Sequence, residues 1–276
     1  MSIAPLRYVE PQPVAPAAGG LFSVATMLPM EDAHAENGVM WEPLTCAEAQ
    51  AGGDPCVAER DPLAVDEGVP EVEATPFIIY GGYNCKLVGH TVADVRNRAQ
   101  QALYLGEQRA TERALWTGDQ GNRPRLADPT AVILGPGSLL ADAVSPEVGL
   151  ALLEAYLGSG TGGVGMVHLT RDVATLLWRG QMLTTSGTRT TTRLGTLVAA
   201  GGGYPGTGPD GSDAPAGTAW AYATSPVVVR RSEVYMNPDT PEQALNKTTN
   251  NLEILAERTY VVGWDCLLAA VLITIA

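Results

Sequence analysis

Thr91–Gly118, TVADVRNRAQQALYLGEQRATERALWTG, is the stretch that decides how the chain is read. Thr91 is a suitable N-cap, Asp94 stands where a capping box places its acid, and Gly118 supplies a C-terminal stop. The spacing predicts one uninterrupted helix. Val92, Val95, Ala99, Leu103, Gly106, Ala110 and Ala114 recur at three- and four-residue steps, a narrow stripe of mostly small apolar groups. Arg96, Arg98, Glu107, Arg109, Glu112 and Arg113 take the rest of the circumference. At ~1.5 Å per residue the helix is roughly 40 Å long, beyond the globular norm. It reads either as a rod lying across an extended sheet or another subunit, or as an ordinary core helix.

The chain has 276 residues, 45% of them hydrophobic, enough for one large or two modest domains with a real core. Its formal net charge is −13, and the acid is concentrated early: residues 1–90 carry 13 Asp or Glu against Arg7, Arg60 and Lys86. Lys86 and Lys247 are the only lysines. Tight binding to nucleic acid concentrates Lys and Arg on one face, so that function class is excluded. Cys46, Cys56, Cys85 and Cys266 form no close CxxC pair. They read as reduced core residues, with a Cys46–Cys56 bond as the alternative. The N-terminus has no charged-then-apolar signal segment, which argues against secretion. The apolar run Cys266–Ala276 is too short to span a bilayer and suits a buried strand.

Residues 1–20 hold four prolines and end in Gly19-Gly20, the composition of an extended arm that another surface must order. Leu21–Leu28 and Gly38–Thr45 are β-compatible around a polar PMEDAHAEN, predicting a long hairpin over Leu21–Thr45 that projects from the body. Gln50–Pro70 is loop-like, and Pro76–Tyr80 is a short apolar strand. After the long helix, Ser145-Pro146-Glu147 starts a helix that ends at Gly158. Strands are predicted over Met166–Leu169, Leu194–Ala200, Ala219–Tyr222, Val227–Arg231, Val234–Met236 and Ala269–Ile275, with a short helix over Arg171–Arg179. Tyr204–Gly217 reads as a surface loop, and Asn251–Cys266 suits strand or helix.

Residues that could carry chemistry are few. Gly158–Gly165, GSGTGGVG, follows a helix and precedes a strand, the reverse of a phosphate cradle, and lacks the Lys-Ser/Thr of a P-loop. A connector is the better reading. His34, His90 and His168 show no metal-ligand spacing, and a set of His168, Asp172 and Ser186 comes with no GxSxG elbow. No catalytic residue, cofactor site or metal site is therefore assigned. Trp220, Tyr222, Arg230, Arg231 and Tyr235 read either as a partner surface or as half-buried sheet residues.

The order of features in the second half then matters. His168-Leu169-Thr170-Arg171-Asp172 runs into a short helix, a glycine turn, a strand with Leu194-Gly195-Thr196-Leu197-Val198, a loop, Trp220-Ala221-Tyr222-Ala223 and a valine-rich strand. Asn250-Asn251-Leu252-Glu253-Ile254-Leu255-Ala256-Glu257-Arg258 and an apolar end close it. This order, with Val65-Asp66-Glu67-Gly68 upstream, resembles the major capsid protein of tailed bacteriophages, the Hong Kong 97-type α+β fold.

The resemblance implies an N-terminal arm over 1–20, an E-loop hairpin and following loop over 21–68, and part of a P-domain over 69–127 with the spine helix at 91–117. It further implies an A-domain over 128–217, P-domain strands over 218–265, and a C-terminal strand over 266–276 returning to the A-domain. The implied partners are copies of the chain itself, in hexamers and pentamers of an icosahedral shell around double-stranded DNA that is not read by sequence. Portal, scaffolding or decoration proteins would be further partners, and the implied location is the virion, assembled in the host cytoplasm. Some members of that family weld their shells through an E-loop lysine, but residues 1–85 hold no lysine here, so a noncovalent shell is expected. An encapsulin nanocompartment is the alternative within the fold, and a small-ligand enzyme using residues 158–165 the alternative outside it.

Overall fold

The computed structural model describes residues 17–43, 46, 70–86, 91–136, 142–160 and 164–275. The chain begins with α1 (Leu21–Val24), β1 (Thr26–Pro29), β2 (Val39–Trp41), β3 (Val72–Ala74), β4 (Pro76–Lys86) and α2 (Val92–Thr117). β5 (Val132–Leu134), α3 (Pro146–Gly160), β6 (Met166–Thr170), α4 (Arg171–Arg179) and β7 (Leu183–Ser186) follow. Next come β8 (Arg189–Thr192), β9 (Leu197–Gly201), β10 (Thr218–Thr224), β11 (Val228–Arg231) and β12 (Tyr235–Asn237). α5 (Pro241–Ala244), β13 (Leu245–Asn246), β14 (Asn251–Gly263) and β15 (Leu268–Thr274) complete it.

α2 forms over its expected length because both ends are chemically specified. The Thr91 hydroxyl accepts the Asp94 N–H, the Asp94 carboxylate accepts the Thr91 N–H at 2.9 Å, and Gly118 closes the helix at φ 66°. The buried line follows the predicted stripe from Val95 to Leu103, leaves it, and meets it again at Ala114. Beyond Leu103, Gly106 is exposed and Ala110 half-buried, while Glu107, Thr111 and Glu112 turn inward. A strict four-residue step drifts around a 3.6-residue helix, and the drift follows the twist of the sheet beneath it.

That sheet has six strands with β14 at its centre. β4 runs antiparallel along one edge of β14, from Lys86 opposite Asn251 to Pro76 opposite Val261. β13, β12 and β11 follow one another along the other edge, and β1 adds parallel to β11. Composition predicts a strand only to Tyr80, but Gly81 and Gly82 continue β4. A Cβ on Gly81 would strike the Leu103 backbone, so the glycine is what lets α2 settle on the sheet. The ambiguous segment from Asn251 becomes strand because β14 is paired on both edges.

The second sheet, of seven strands, runs β5-β15-β10-β6-β9-β8-β7. β15, predicted as a buried strand, lies between β10 and β5. Under α3 and α4, Leu150, Leu153, Val173, Leu177 and Val271 form one core. A second core unites α2 with both sheets through Leu103, Leu115, Trp116, Tyr222 and Tyr260.

Several expectations need correction. The Leu21–Thr45 hairpin does not form: β1 pairs with β11, and β2 pairs antiparallel with β3. Leu21 and Val24 are fully buried, since their apolar side chains find the core under α2, and Phe22 stacks on Tyr260 with centroids 6.1 Å apart. The leading third is thus stitched to its own body through residues 17–29 instead of projecting from Leu21. Residues 1–16, 47–69 and 87–90 lie outside the described residues, and with them most of the arm, Cys56, Val65–Gly68 and His90. The threonine-rich TTSGTRTTTR is a β7–β8 hairpin around Gly187 at φ 62°. Tyr204, read as surface loop, is buried. β10, expected among the strands of 218–265, pairs in the seven-stranded sheet, and the chain passes to the six-stranded sheet between Thr224 and Val228. Cys46 is bonded to Cys266, 220 residues away with Cα atoms 6.0 Å apart, and not left reduced or joined to Cys56. Cys85 is free and half-buried.

Gly81→Ala is expected to cost ~1–3 kcal/mol by prying α2 off β4, measured as a lower urea midpoint. Gly106→Ala, where an added Cβ meets nothing within 4 Å, should instead stabilise by up to ~1 kcal/mol.

Candidate functional site

The groups with most chemical potential lie under the second half of α2. Arg231, Arg258 and Tyr260 sit on the sheet face that meets the helix, as the pairings Arg231 with Tyr260 and Tyr260 with the buried Phe77 require. Glu107 reaches down to them. Its Oε2 accepts from Tyr260 Oη at 2.6 Å and from Arg258 Nη1 at 3.1 Å, and Oε1 lies 3.6 Å from Arg231 Nη1. The Arg258 guanidinium also stands 5.5 Å over the Tyr104 ring. Burial, and then the hydrogen bond to Glu107, push the Tyr260 hydroxyl well above the ordinary phenol range.

Glu112, fully buried one and a half turns later, holds backbone instead of cations. Oε1 accepts the Leu21 N–H at 2.9 Å and Oε2 the Gly203 N–H at 2.9 Å. The start of α1 and the turn after β9 are thereby tied to one carboxylate. Burial raises its pKa, while the Leu21 and Gly203 N–H groups oppose the rise. Gly203 is required by close approach, because a Cβ there would strike the Arg109 carbonyl.

His168 on β6 is sealed in the interior. Its Nδ1 lies 3.0 Å from the Tyr204 hydroxyl and its Nε2 3.0 Å from Thr224 Oγ1. Burial lowers its pKa to about 3, so the ring is neutral and structural at any physiological pH. The His168, Asp172 and Ser186 set is not assembled: Asp172 accepts from Thr170 and the Val173 N–H, and Ser186 is exposed at the end of β7. Gly158 and Gly160 are the last turn of α3, and residues 161–163 lie outside the described residues. Of the aromatic set, Trp220 and Tyr222 are core, with Tyr222 donating to the Thr207 carbonyl at 2.9 Å, while Tyr235 is exposed.

Each buried titratable group is therefore bound to a fixed structural partner. What stays available is apolar surface. Ile78 and Tyr80 point away from α2 and are 56% and 67% exposed. The register puts Tyr235, Glu257 and Tyr80 in one row across that outer face. Tyr104 and Leu105 are exposed on α2, and Met40 on β2. By spacing, Glu107 and Glu112 fall outside the apolar stripe of α2, on the rest of its circumference. Continuing the four-residue step Val95, Ala99, Leu103 would have reached Glu107.

Among solved structures the chain is similar, nearly end to end, to the capsid of Ralstonia phage GP4, at 11% identity over 98% of this chain and 95% of that one, TM-score 0.57. It is also similar to the holo-SrpI encapsulin complex of Synechococcus elongatus PCC 7942, at 11% identity over 99% and 94%, TM-score 0.55. The capsid of an empty GTA particle shares 12% identity over 99% and 95%, TM-score 0.53. The chain has the Hong Kong 97-type capsid fold. No family profile and no curated protein sequence matches it. In this capsid fold the glutamates are internal struts, and no helix is long and apolar enough to cross a membrane among the described residues.

Glu107→Ala strands the Arg258 guanidinium, whose side chain is 11% exposed, and is expected to cost ~3–5 kcal/mol in urea unfolding. Arg231→Ala, at the solvent rim, should cost under about 1 kcal/mol. His168 has its folded pKa below the usual 6.5, so its contribution is intact above that pH and is lost as pH falls toward about 3. Acid unfolding of His168→Asn should be correspondingly less steep across that window, by up to ~1.4 kcal/mol per pH unit.

Proposed function

We propose that this chain is the major capsid protein of a tailed bacteriophage, building by self-association an icosahedral head around double-stranded DNA. The observation that carries the reading is the end-to-end likeness to shell proteins, at TM-scores of 0.53 to 0.57, in a chain whose buried acids and histidine are all committed to structure. Identities of 11–12% leave the assignment to physical argument. α2 is the spine helix, the six-stranded sheet with it the P-domain, and the seven-stranded sheet with α3 and α4 the A-domain. The antiparallel β2–β3 ladder supports a reading in which it is the stem of the E-loop.

Exposed Ile78, Tyr80, Met40 and Leu105 supply apolar surface that a neighbouring copy would cover. The excess of acid in residues 1–90 suits a container that must not adhere to packaged DNA. Residues 1–85 hold no lysine, which favours subunits held by noncovalent contacts over an E-loop lysine crosslink. Portal, scaffolding and decoration proteins belong to this reading as further partners, and the virion as its location.

The similarity to an encapsulin favours one second reading, a nanocompartment that stores protein cargo. Electron microscopy of the expressed protein is expected to show closed shells, built of pentamers and hexamers. Particles from the native source should carry nuclease-protected DNA, and an enclosed enzyme would instead support the nanocompartment. Tyr80→Lys combined with Ile78→Asp should abolish shells without lowering the thermal midpoint of the unassembled chain. A chain that stays monomeric at high concentration would end both readings.

A further inference from the structure

Two short links carry the chain between its sheets, Ser225–Val227 and Trp264–Leu267, and the Leu267 N–H donates to Ser225 Oγ at 3.2 Å. The β2–β3 stem is fastened at this crossing. Trp41 Nε1 donates to Asp265 Oδ1 at 2.8 Å, and the Trp41 ring lies so close over Gly263 that a Cβ there would collide with it. Next to that contact, Cys46 is bonded to Cys266. Cys266 is exposed and Cys46 half-buried, so the bond stands where small thiols and disulfides can reach it. The bond then adds a constraint between the β2–β3 stem and the inter-sheet crossing, and in the unfolded chain it closes a loop between residues 220 positions apart.

We propose that Cys46 and Cys266 form a thiol–disulfide lock on the β2–β3 stem. Reduced, the β2 side of the stem is held by the Trp41–Asp265 hydrogen bond while β3 stays anchored by buried Ala74 and the Thr75–Arg123 hydrogen bonds; oxidised, the β2 side is also bonded to the crossing between the sheets. In a reducing cytoplasm the thiols persist, and they close after exposure to an oxidising medium. The oxidant is a low-molecular-weight disulfide. The exposed Cys266 thiolate attacks one of its sulfurs and expels one thiolate; the Cys46 thiolate then attacks Cys266 Sγ and expels the second. Two protein thiols lose two electrons, the small disulfide gains them, and the two protein protons end on the released thiols. The proposal rests on the shell reading only for its consequence, that the lock hardens an assembled particle.

The test uses the full chain treated with oxidised glutathione or with a phosphine reductant, alongside Cys46→Ser, Cys266→Ser and Cys85→Ser. Oxidised wild type and Cys85→Ser should yield a peptide joining residue 46 to residue 266. Each should gain at least about 5 °C in Tm, and amide exchange at 39–41 and 72–74 should slow at least about tenfold. Cys46→Ser and Cys266→Ser should match the reduced protein and ignore the oxidant. If shells form, oxidised ones should dissociate at higher urea than reduced ones. Thiols that stay free under oxidant, a bond to Cys56 or to another subunit, or equal exchange in both redox states overturns the lock. Absence of shells in both states sinks the shell reading alone, because the peptide map and exchange are read on the unassembled chain.

Discussion

α2 can lie against the β4–β14 ladder only because its backbone approaches β4 at Gly81, and much of the remaining architecture follows from that contact. A helix so close to a twisted sheet buries more of its circumference than its apolar residues cover. Charged positions are drawn in, and each must then be satisfied. Glu107 is met by Arg258 and Tyr260, with Arg231 at the rim, and Glu112 by two backbone N–H groups. The second solution recruits distant chain: Leu21 and Gly203, each 91 residues from Glu112, converge on one carboxylate.

The same contact explains why the two sheets act as one body. Trp116, near the end of α2, lies 4.8 Å from Tyr222 of β10 and 4.9 Å from Tyr204, and its Nε1 donates to Thr207. The helix is therefore packed on the six-stranded sheet along most of its length and on the seven-stranded sheet at its end. Besides α2, two short links, Ser225–Val227 and Trp264–Leu267, carry the chain between the sheets and touch each other, and the β2–β3 stem is fixed to the second by Trp41, Asp265 and the Cys46–Cys266 bond.

Tyr260, His168 and Glu112 have perturbed ionisation, the usual mark of a reactive centre, yet each perturbation comes from burial beside a fixed structural partner. The exposed residues that call for an occupant are instead Ile78, Tyr80, Met40 and Leu105.

The sequence by itself determined what depends on neighbours a few residues away. The α2 cap and stop, the Pro146 helix start, the Arg171–Arg179 helix and the apolar run of the last strand all read correctly, because capping, periodicity and a short apolar run are local. The order of those elements was also enough to suggest the fold. Tertiary structure alone decided which strands pair, so that β1 left its expected hairpin for β11 and β10 joined the second sheet. It alone turned Glu107 and Glu112 inward and brought Cys46 to Cys266. An isolated glutamate or cysteine carries no trace of a partner 91, 151 or 220 residues away, since only the assembled core brings the two together.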